Sequence, residues 1–352
     1  MKKILLVQGR IPHYRMPVFE ELAKRVDLTV LYSNGDLPAN IGFKVIKMPT
    51  AHILKYSWYK GSLCGLAKGF DAVLAPLDFS NLSLIYLSKT PRPFKTIYWS
   101  IGVPASYKVP YDTKSSYDSK FLRQIKRSDA VVFYCSYPVE KYAKMGISRD
   151  KLFVANNTVE VLPTSEHKEK NTIIFLGSLY KQKRIFDLLE NYKAAYTERQ
   201  DIPELIVIGE GDQRSAVEKW IAENGLSAKI RLTGGIYDEA CLSAYFASAI
   251  ACISPGQAGL TVLKSMGYGV PFVTTKDAVT GGEIFNITDN VNGLVLDNYN
   301  EMKSVILETL TNRDRFITMG QAAREFYEEN RQIGMMVDGF EQAINFVFNK
   351  GR

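Results

Sequence analysis

Cysteine is scarce in this chain. Its 352 residues hold four thiols, Cys64, Cys135, Cys241 and Cys252, with no C-x-x-C pair among them. That spacing argues against both a disulfide framework and a zinc site, and suggests mostly buried thiols in a reducing compartment. Histidine is scarcer, at three, and no metal cluster is visible. Apolar runs are short. Met1-Lys2-Lys3 has the charge of a signal peptide's first residues, but only four apolar residues, Ile4 to Val7, follow it. That is too few for a signal sequence, and no stretch approaches the roughly 18 apolar residues of a membrane span. The expectation is a cytoplasmic protein.

Acidic residues are thin in the N-terminal half. Residues 1–160 hold 12 Asp and Glu against 24 Lys and Arg, whereas the rest holds 25 against 20. The net charge of +7 therefore conceals +12 followed by −5. Such asymmetry speaks of partners rather than of fold, and the first half should favour an anionic surface. The composition, 46% hydrophobic and 23% charged, is otherwise that of a globular protein. The length is about twice that of a typical domain, so two domains are expected.

No internal repeat or low-complexity tract appears. Short apolar runs at 4–7, 28–32, 72–75, 96–99 and 130–134 alternate with helical or loop segments, among them an amphipathic helix over 17–25. The rhythm restarts at 172–176, 205–208, 230–232, 249–253, 271–274 and 293–296, with helices over 184–196, 213–224 and 260–267, and long helical patterns close the chain over 301–348. Such alternation predicts parallel sheets covered by helices on both faces. The expected architecture is α/β, with doubly wound domains at 1–161 and 172–330. Between them lies a polar linker, 162–171, and residues 331–352 form a closing helix with the option of crossing back to the first domain. Ligands of such sheets lie beyond the carboxyl ends of the strands, so two facing domains would form a cleft.

The densest motif is Ser254-Pro255-Gly256-Gln257-Ala258-Gly259-Leu260-Thr261, where a buried strand runs through a Pro-Gly turn into an amphipathic helix. The unpaired N–H groups of a helix start, with no β-carbon at Gly259, suit a diphosphate. A turn whose glycines serve backbone geometry alone fits the same letters. With Phe272-Val273-Thr274-Thr275 and Gly281-Gly282-Glu283-Ile284, this stretch resembles the donor-binding signature of family 4 glycosyltransferases of the two-domain GT-B fold. Further pieces follow in that family's order: Gly177-Ser178-Leu179 with Lys183, Ile208-Gly209-Glu210-Gly211, Leu232-Thr233-Gly234 and Asn292-Gly293-Leu294. Asn156-Asn157-Thr158 is similar to the segment before its linker.

The resemblance implies a nucleotide-diphosphate sugar as donor substrate, with no further cofactor and no metal. By it, Lys183 stabilises the leaving diphosphate. Gly177, Ser178, Gly209, Gly211, Gly256, Gly259, Leu260, Thr261 and Glu283 line the donor, and the backbone at Ile236 and Tyr237 meets the base. A solvated lysine and a helix-opening acid are the plain alternatives for Lys183 and Glu283. The sequence departs from the family in three places. Ser178 replaces an arginine, and the acids of the E-x7-E pair fall on Gly256 and Lys264. A subset carries S-P-G-x-x-G-L instead, and this chain is similar to that subset.

In the first domain, Arg10, His13, Tyr14 and Arg15 lie on the loop that resembles the family's acceptor side. The two arginines offer the cation missing at Ser178 or a grip on an acceptor pyrophosphate; a bystander is the plain alternative for His13. Ser100 stands where relatives carry a histidine, so none is carried over. The stretch from His52 to Lys60 interleaves lysine with Tyr and Trp, which suits peripheral contact with an anionic membrane. A partly buried helix or loop with a solvated edge fits it as well, as a solvated helix face fits 120–127. No nucleic-acid motif appears. The implied activity is sugar transfer with retention to a hydroxyl of a glycan or lipid-pyrophosphate-linked acceptor, of the kind that builds bacterial surface polysaccharide, at the inner face of the membrane. A sugar-nucleotide epimerase or phosphorylase of the same fold, and a non-catalytic partner subunit, remain as alternatives.

Overall fold

In the computed structural model the two runs of apolar tetrads become two separate parallel sheets, one in each of two units. The structure describes residues 1–89, 92–106, 109–113, 117–162 and 168–349. Residues 163–167 of the expected linker lie outside them. The first unit comprises Met1–Pro104, Asp112–Val159 and Gln332–Arg352; the second comprises Ala105–Tyr111 and Glu160–Arg331. The segment Ala105–Tyr111, expected within the first domain, thus groups with the second, where the Tyr111 ring meets Phe285 edge-on at 5.2 Å.

Within the first unit the chain runs β1 (Lys3–Val7), α1 (Met16–Ala23), β2 (Asp27–Tyr32), β3 (Lys44–Lys47), β4 (Thr50–Ile53), β5 (Tyr56–Tyr59), α2 (Leu63–Ala67) and β6 (Ala72–Pro76). It continues through α3 (Leu82–Leu87), β7 (Lys95–Ser100), α4 (Tyr117–Arg127), β8 (Ala130–Phe133), α5 (Tyr137–Lys144) and β9 (Leu152–Val154). The order β3-β2-β1-β6-β7-β8-β9 is parallel throughout, and its direction of growth reverses between β1 and β6. Ile4 and Leu6 face one core and Leu5 and Val7 the other, which is why a strand covered on both faces is an unbroken apolar run. The stretch over 52–60, for which a partly buried helix or loop is the plain alternative, holds the end of β4, the turn and β5 of an antiparallel hairpin.

The second unit repeats the plan with β10 (Thr172–Leu176), α6 (Ile185–Glu198), β11 (Glu204–Ile208), α7 (Arg214–Glu223), β12 (Ile230–Gly234), α8 (Glu239–Ser248) and β13 (Ala249–Ile253). Then come β14 (Gln257–Ala258), α9 (Leu260–Gly267), β15 (Phe272–Thr275), β16 (Val279–Thr280), β17 (Gly293–Leu296), α10 (Met302–Thr311) and α11 (Arg313–Asn330). Its six-stranded sheet, β12-β11-β10-β13-β15-β17, reverses direction between β10 and β13. Both faces are filled. Ile173 and Phe175 pack with Leu188, Leu189 and Tyr192 of α6, while Ile174 packs with Val262 and Met266 of α9.

The last helix, α12 (Ile333–Asn349), belongs to the first unit. Its stripe of Met336, Val337, Phe340, Ala343, Ile344 and Val347 covers Ile4, Leu6, Phe19 and Trp99. Arg25, just past α1, holds it by ion pairs to Asp338 (2.5 Å) and Glu341 (2.7 Å). No helix among the described residues is long and apolar enough to cross a membrane.

Candidate functional site

Where the growth of a parallel sheet reverses, the loops leaving the two adjoining strands part and open a crevice at their carboxyl ends. In the second unit those strands are β10 and β13, and their loops carry Gly177 to Lys183 and Ser254 to Gly259. Backbone contact joins the two. The Gly256 N–H donates to the Lys183 carbonyl at 3.2 Å, and a Cβ at Gly256 would lie 2.1 Å from the Gln182 carbonyl oxygen. Only a glycine lets the strands' loops touch so closely.

Lys183 ends a 3-10 turn, Lys181–Lys183, and is 7% exposed. Its ammonium lies against the α-carbon of Gly177, whose φ of +154 already demands glycine. No carboxylate and no hydrogen-bond acceptor among the described residues is bonded to it. Burial, which penalises the charged form, brings its pKa down to about 8. A buried cation without a counter-ion is costly, and the cost ends when an anion arrives.

The remaining glycines fall into two kinds. A Cβ at Gly209 would lie 1.9 Å from the Gly177 carbonyl oxygen, and one at Gly211 would lie 2.4 Å from that of Leu179. These two glycines are needed to pack one loop on the other. Gly259 is different: its φ is −111, and a Cβ there would meet nothing nearer than the Gln257 side chain at 3.5 Å. It caps α9 without any side-chain cap bond, leaving the first N–H groups of the helix, at Leu260 and Thr261, without intrahelical acceptors. The Thr261 hydroxyl itself is engaged, donating to the Leu176 carbonyl at 3.2 Å.

The S-P-G turn is braced from the neighbouring strand. Thr274 and Thr275 donate to the carbonyls of Ser254 and Pro255, each at 2.9 Å, and β14 pairs with β16. Glu283 opens the 3-10 turn Glu283–Asn286, is buried, and accepts from the Gly281 N–H at 2.9 Å. Ser178 and Ile236 are half-buried, and Tyr237 is exposed. Among the described residues no group of three His, Cys, Asp or Glu is placed to hold a metal ion.

Lys264 does not reach solvent as a free cation. Its ammonium bonds both oxygens of Glu239, at 2.6 and 2.5 Å, and the Glu160 carbonyl at 2.5 Å. Tyr268 adds a hydroxyl bond to Glu239 at 2.7 Å. Burial lowers the pKa of Lys264 despite this partner. Sequence reasoning missed Glu239. It lies 25 residues from Lys264, and no local spacing signals such a pair.

In the first unit the four loop residues separate. His13 and Arg10 are exposed, and Tyr14 is half-buried. Arg15 is 6% exposed and packed inward among aromatic rings. Its guanidinium stacks near Tyr14, Trp99 and Tyr134, with 5.1–5.3 Å to the ring centroids, and donates to Asn157 Oδ1 at 2.7 Å. Delocalised charge over aromatic faces tolerates burial better than an ammonium would.

Residues 160–326 match the family model for glycosyl transferases group 1. The chain is also similar to solved structures along its whole length. With Anabaena HepE in complex with UDP the TM-score is 0.71 at 13% identity, covering 97% of this chain and 99% of that one. With the sucrose-phosphate synthase of Thermosynechococcus elongatus it is 0.71 at 16% identity, covering 100% of both. The fold is GT-B. Among curated proteins, this GT-B chain is 26% identical over 170 residues to a GDP-mannose-dependent alpha-(1-6)-phosphatidylinositol monomannoside mannosyltransferase of Mycobacterium tuberculosis. That match takes in 45% of this chain and 43% of the relative, less than half of either. The group 1 match coincides with the unit that holds Lys183, Gly256 and α9.

Proposed function

We propose that the protein is a glycosyltransferase that takes its sugar from a nucleotide-diphosphate donor seated at the β10–β13 reversal. The carrying observation is the Lys183 ammonium, buried beside Gly177 with no counter-ion among the described residues. The bare Gly259 and the open helix start beside it support the same reading, since they suit a diphosphate at close range. The UDP held by Anabaena HepE and the GDP-mannose of the mycobacterial relative belong to those proteins, and they make uracil and guanine nucleotides the first to try.

In the proposed reaction the bond between the anomeric carbon and the diphosphate oxygen breaks, and a bond to the acceptor hydroxyl oxygen forms on the same face, retaining configuration. The departing diphosphate takes the acceptor's proton. Lys183 and the amides of Leu260 and Thr261 hold the charge that develops on it. On this reading the chain falls in the subset whose S-P-G-x-x-G-L pattern stands in place of the E-x7-E acids. We assign the acceptor to a glycan or lipid-linked hydroxyl of bacterial surface polysaccharide synthesis.

A thermal-shift screen across UDP-, GDP-, dTDP- and ADP-sugars tests the donor, because a ligand of the folded state raises the melting temperature. A shift with one of them that Lys183→Ala abolishes is expected. No binding of any sugar nucleotide defeats the reading in favour of a non-catalytic subunit. Turnover of the donor without an acceptor defeats it in favour of an epimerase.

A further inference from the structure

Between Asp36 and Asp71 the chain has lysines at 44, 47, 55, 60 and 68, one histidine, and no carboxylate. Its centre is the hairpin of β4 and β5, paired from Thr50 with Tyr59 to Ile53 with Tyr56, so that Leu54 and Lys55 are the two turn residues. Leu54 has φ +53, a backbone that favours Gly or Asn. Its side chain is 98% exposed, and Ile53 beside it is 62% exposed. A leucine there stabilises neither the turn nor the core. A residue unfavourable on both counts points to a contact outside the chain.

The neighbourhood extends the surface. The Tyr59 N–H donates to Ser83 Oγ at 3.1 Å, and the Ser57 N–H donates to the Ser80 carbonyl at 2.8 Å, seating the hairpin against α3. Leu82 and Tyr86, one turn apart on α3, are exposed, and so is Lys89 just past the end of the helix. Tyr56 is exposed too, with the Lys55 ammonium 5.4 Å from its ring centroid. Of the five lysines, only Lys44 is paired with a carboxylate, Asp27, among the described residues.

We propose that this hairpin is a membrane anchor that inserts Ile53 and Leu54 among the headgroups of an anionic bilayer. Tyr56 and Tyr86 lie at the interface, and the unpaired lysines meet the lipid phosphates. A projecting aliphatic tip ringed by tyrosine and lysine matches the layered chemistry of that surface. The inference stands on the first unit alone and does not depend on the donor site.

Flotation of the full chain with vesicles of phosphatidylglycerol and phosphatidylcholine in equal parts tests it. The protein should float with these vesicles at low salt, about tenfold less with pure phosphatidylcholine, and less as salt screens the lysines. Leu54→Asn should weaken the association about tenfold. It should not harm folding, because asparagine accepts the left-handed backbone better than leucine does, and an unchanged unfolding temperature checks this. Emission from Trp58 on β5 should shift to the blue on binding. Failure to float with anionic vesicles overturns the proposal, and so does flotation that Leu54→Asn and Lys55→Gln leave unchanged.

Discussion

The Lys183 ammonium rests on the bare α-carbon of Gly177: a Cβ at that glycine would lie 2.8 Å from Nζ. The cation of the second unit's crevice is thus held in place by shape rather than by an opposite charge. Gly177 in turn receives its neighbour Gly209 at backbone contact, so two glycines and one lysine form a single packed unit.

This arrangement separates function from stability at position 183. The fall of its pKa from 10.5 to about 8 corresponds to about 3 kcal/mol of unfavourable burial at neutral pH. Lys183→Met keeps the length of the side chain and removes the charge. We expect turnover to drop about 10²–10³-fold while urea unfolding shows a protein at least as stable as the parent. A variant that loses stability along with activity would give Lys183 a structural role instead.

The same group sets a pH window. Its pKa is about 8 folded and near 10.5 unfolded, so between those values the unfolded chain binds the extra proton, and stability rises with pH across that range. Lys170, lowered to about 8 by burial, adds to this rise in the same interval. Nucleotide binding goes the other way. Affinity should be flat below about pH 8 and fall by up to about tenfold per pH above it, as the ammonium is lost. Calorimetric titration over that range checks this, with Lys183→Arg expected to remove the fall because guanidinium stays charged.

Parallel strands buried on both faces are unbroken apolar runs, which is why β1, β10, β11 and β13 could be found from their letters. The helix α9 was legible from the Pro-Gly turn and Gly259 that precede it. The hairpin was not. Each of its strands is four residues long, and the alternation of lysine with rings in one strand carries no trace of its partner. Arg15 reads as a solvent-facing cation until Trp99 and Tyr134, more than 80 residues away, close over it. The G-x-G at Gly209 is written identically whether a phosphate or the Gly177 carbonyl comes near, and here a carbonyl is packed against it.

That difference makes the glycines separable by substitution. Gly209→Ala puts a methyl group 1.9 Å from a carbonyl oxygen, so the loops must part, and a loss of at least about 3 kcal/mol is expected. Gly259→Ala meets only ordinary contact at 3.5 Å and should leave unfolding within about 0.5 kcal/mol of the parent. Its effect belongs in the donor affinity, where the methyl group stands in the way of a diphosphate. Equal stability losses in the two variants would remove the case for a ligand over Gly259.

Lys264 and Glu239 offer the sharpest test of how the second unit tolerates a lysine where its family resemblance expects an acid. Both side chains are mostly buried, at 13% and 23% exposure, and the Tyr268 hydroxyl completes the group. Glu239→Gln removes the charge that matches Lys264 but keeps the shape, leaving a buried ammonium with a neutral partner. A loss of about 2–4 kcal/mol is expected. Lys264→Met alone leaves the carboxylate with Tyr268 as its remaining side-chain donor and should cost about as much. The double variant, with neither charge, should recover most of the loss, because an uncharged pair of similar volume avoids the desolvation that each single variant leaves uncompensated. Urea unfolding of the four proteins gives the coupling directly. Losses that simply add would mean that Lys264 and Glu239 act independently, and the lysine's tolerance would then need another source within α9.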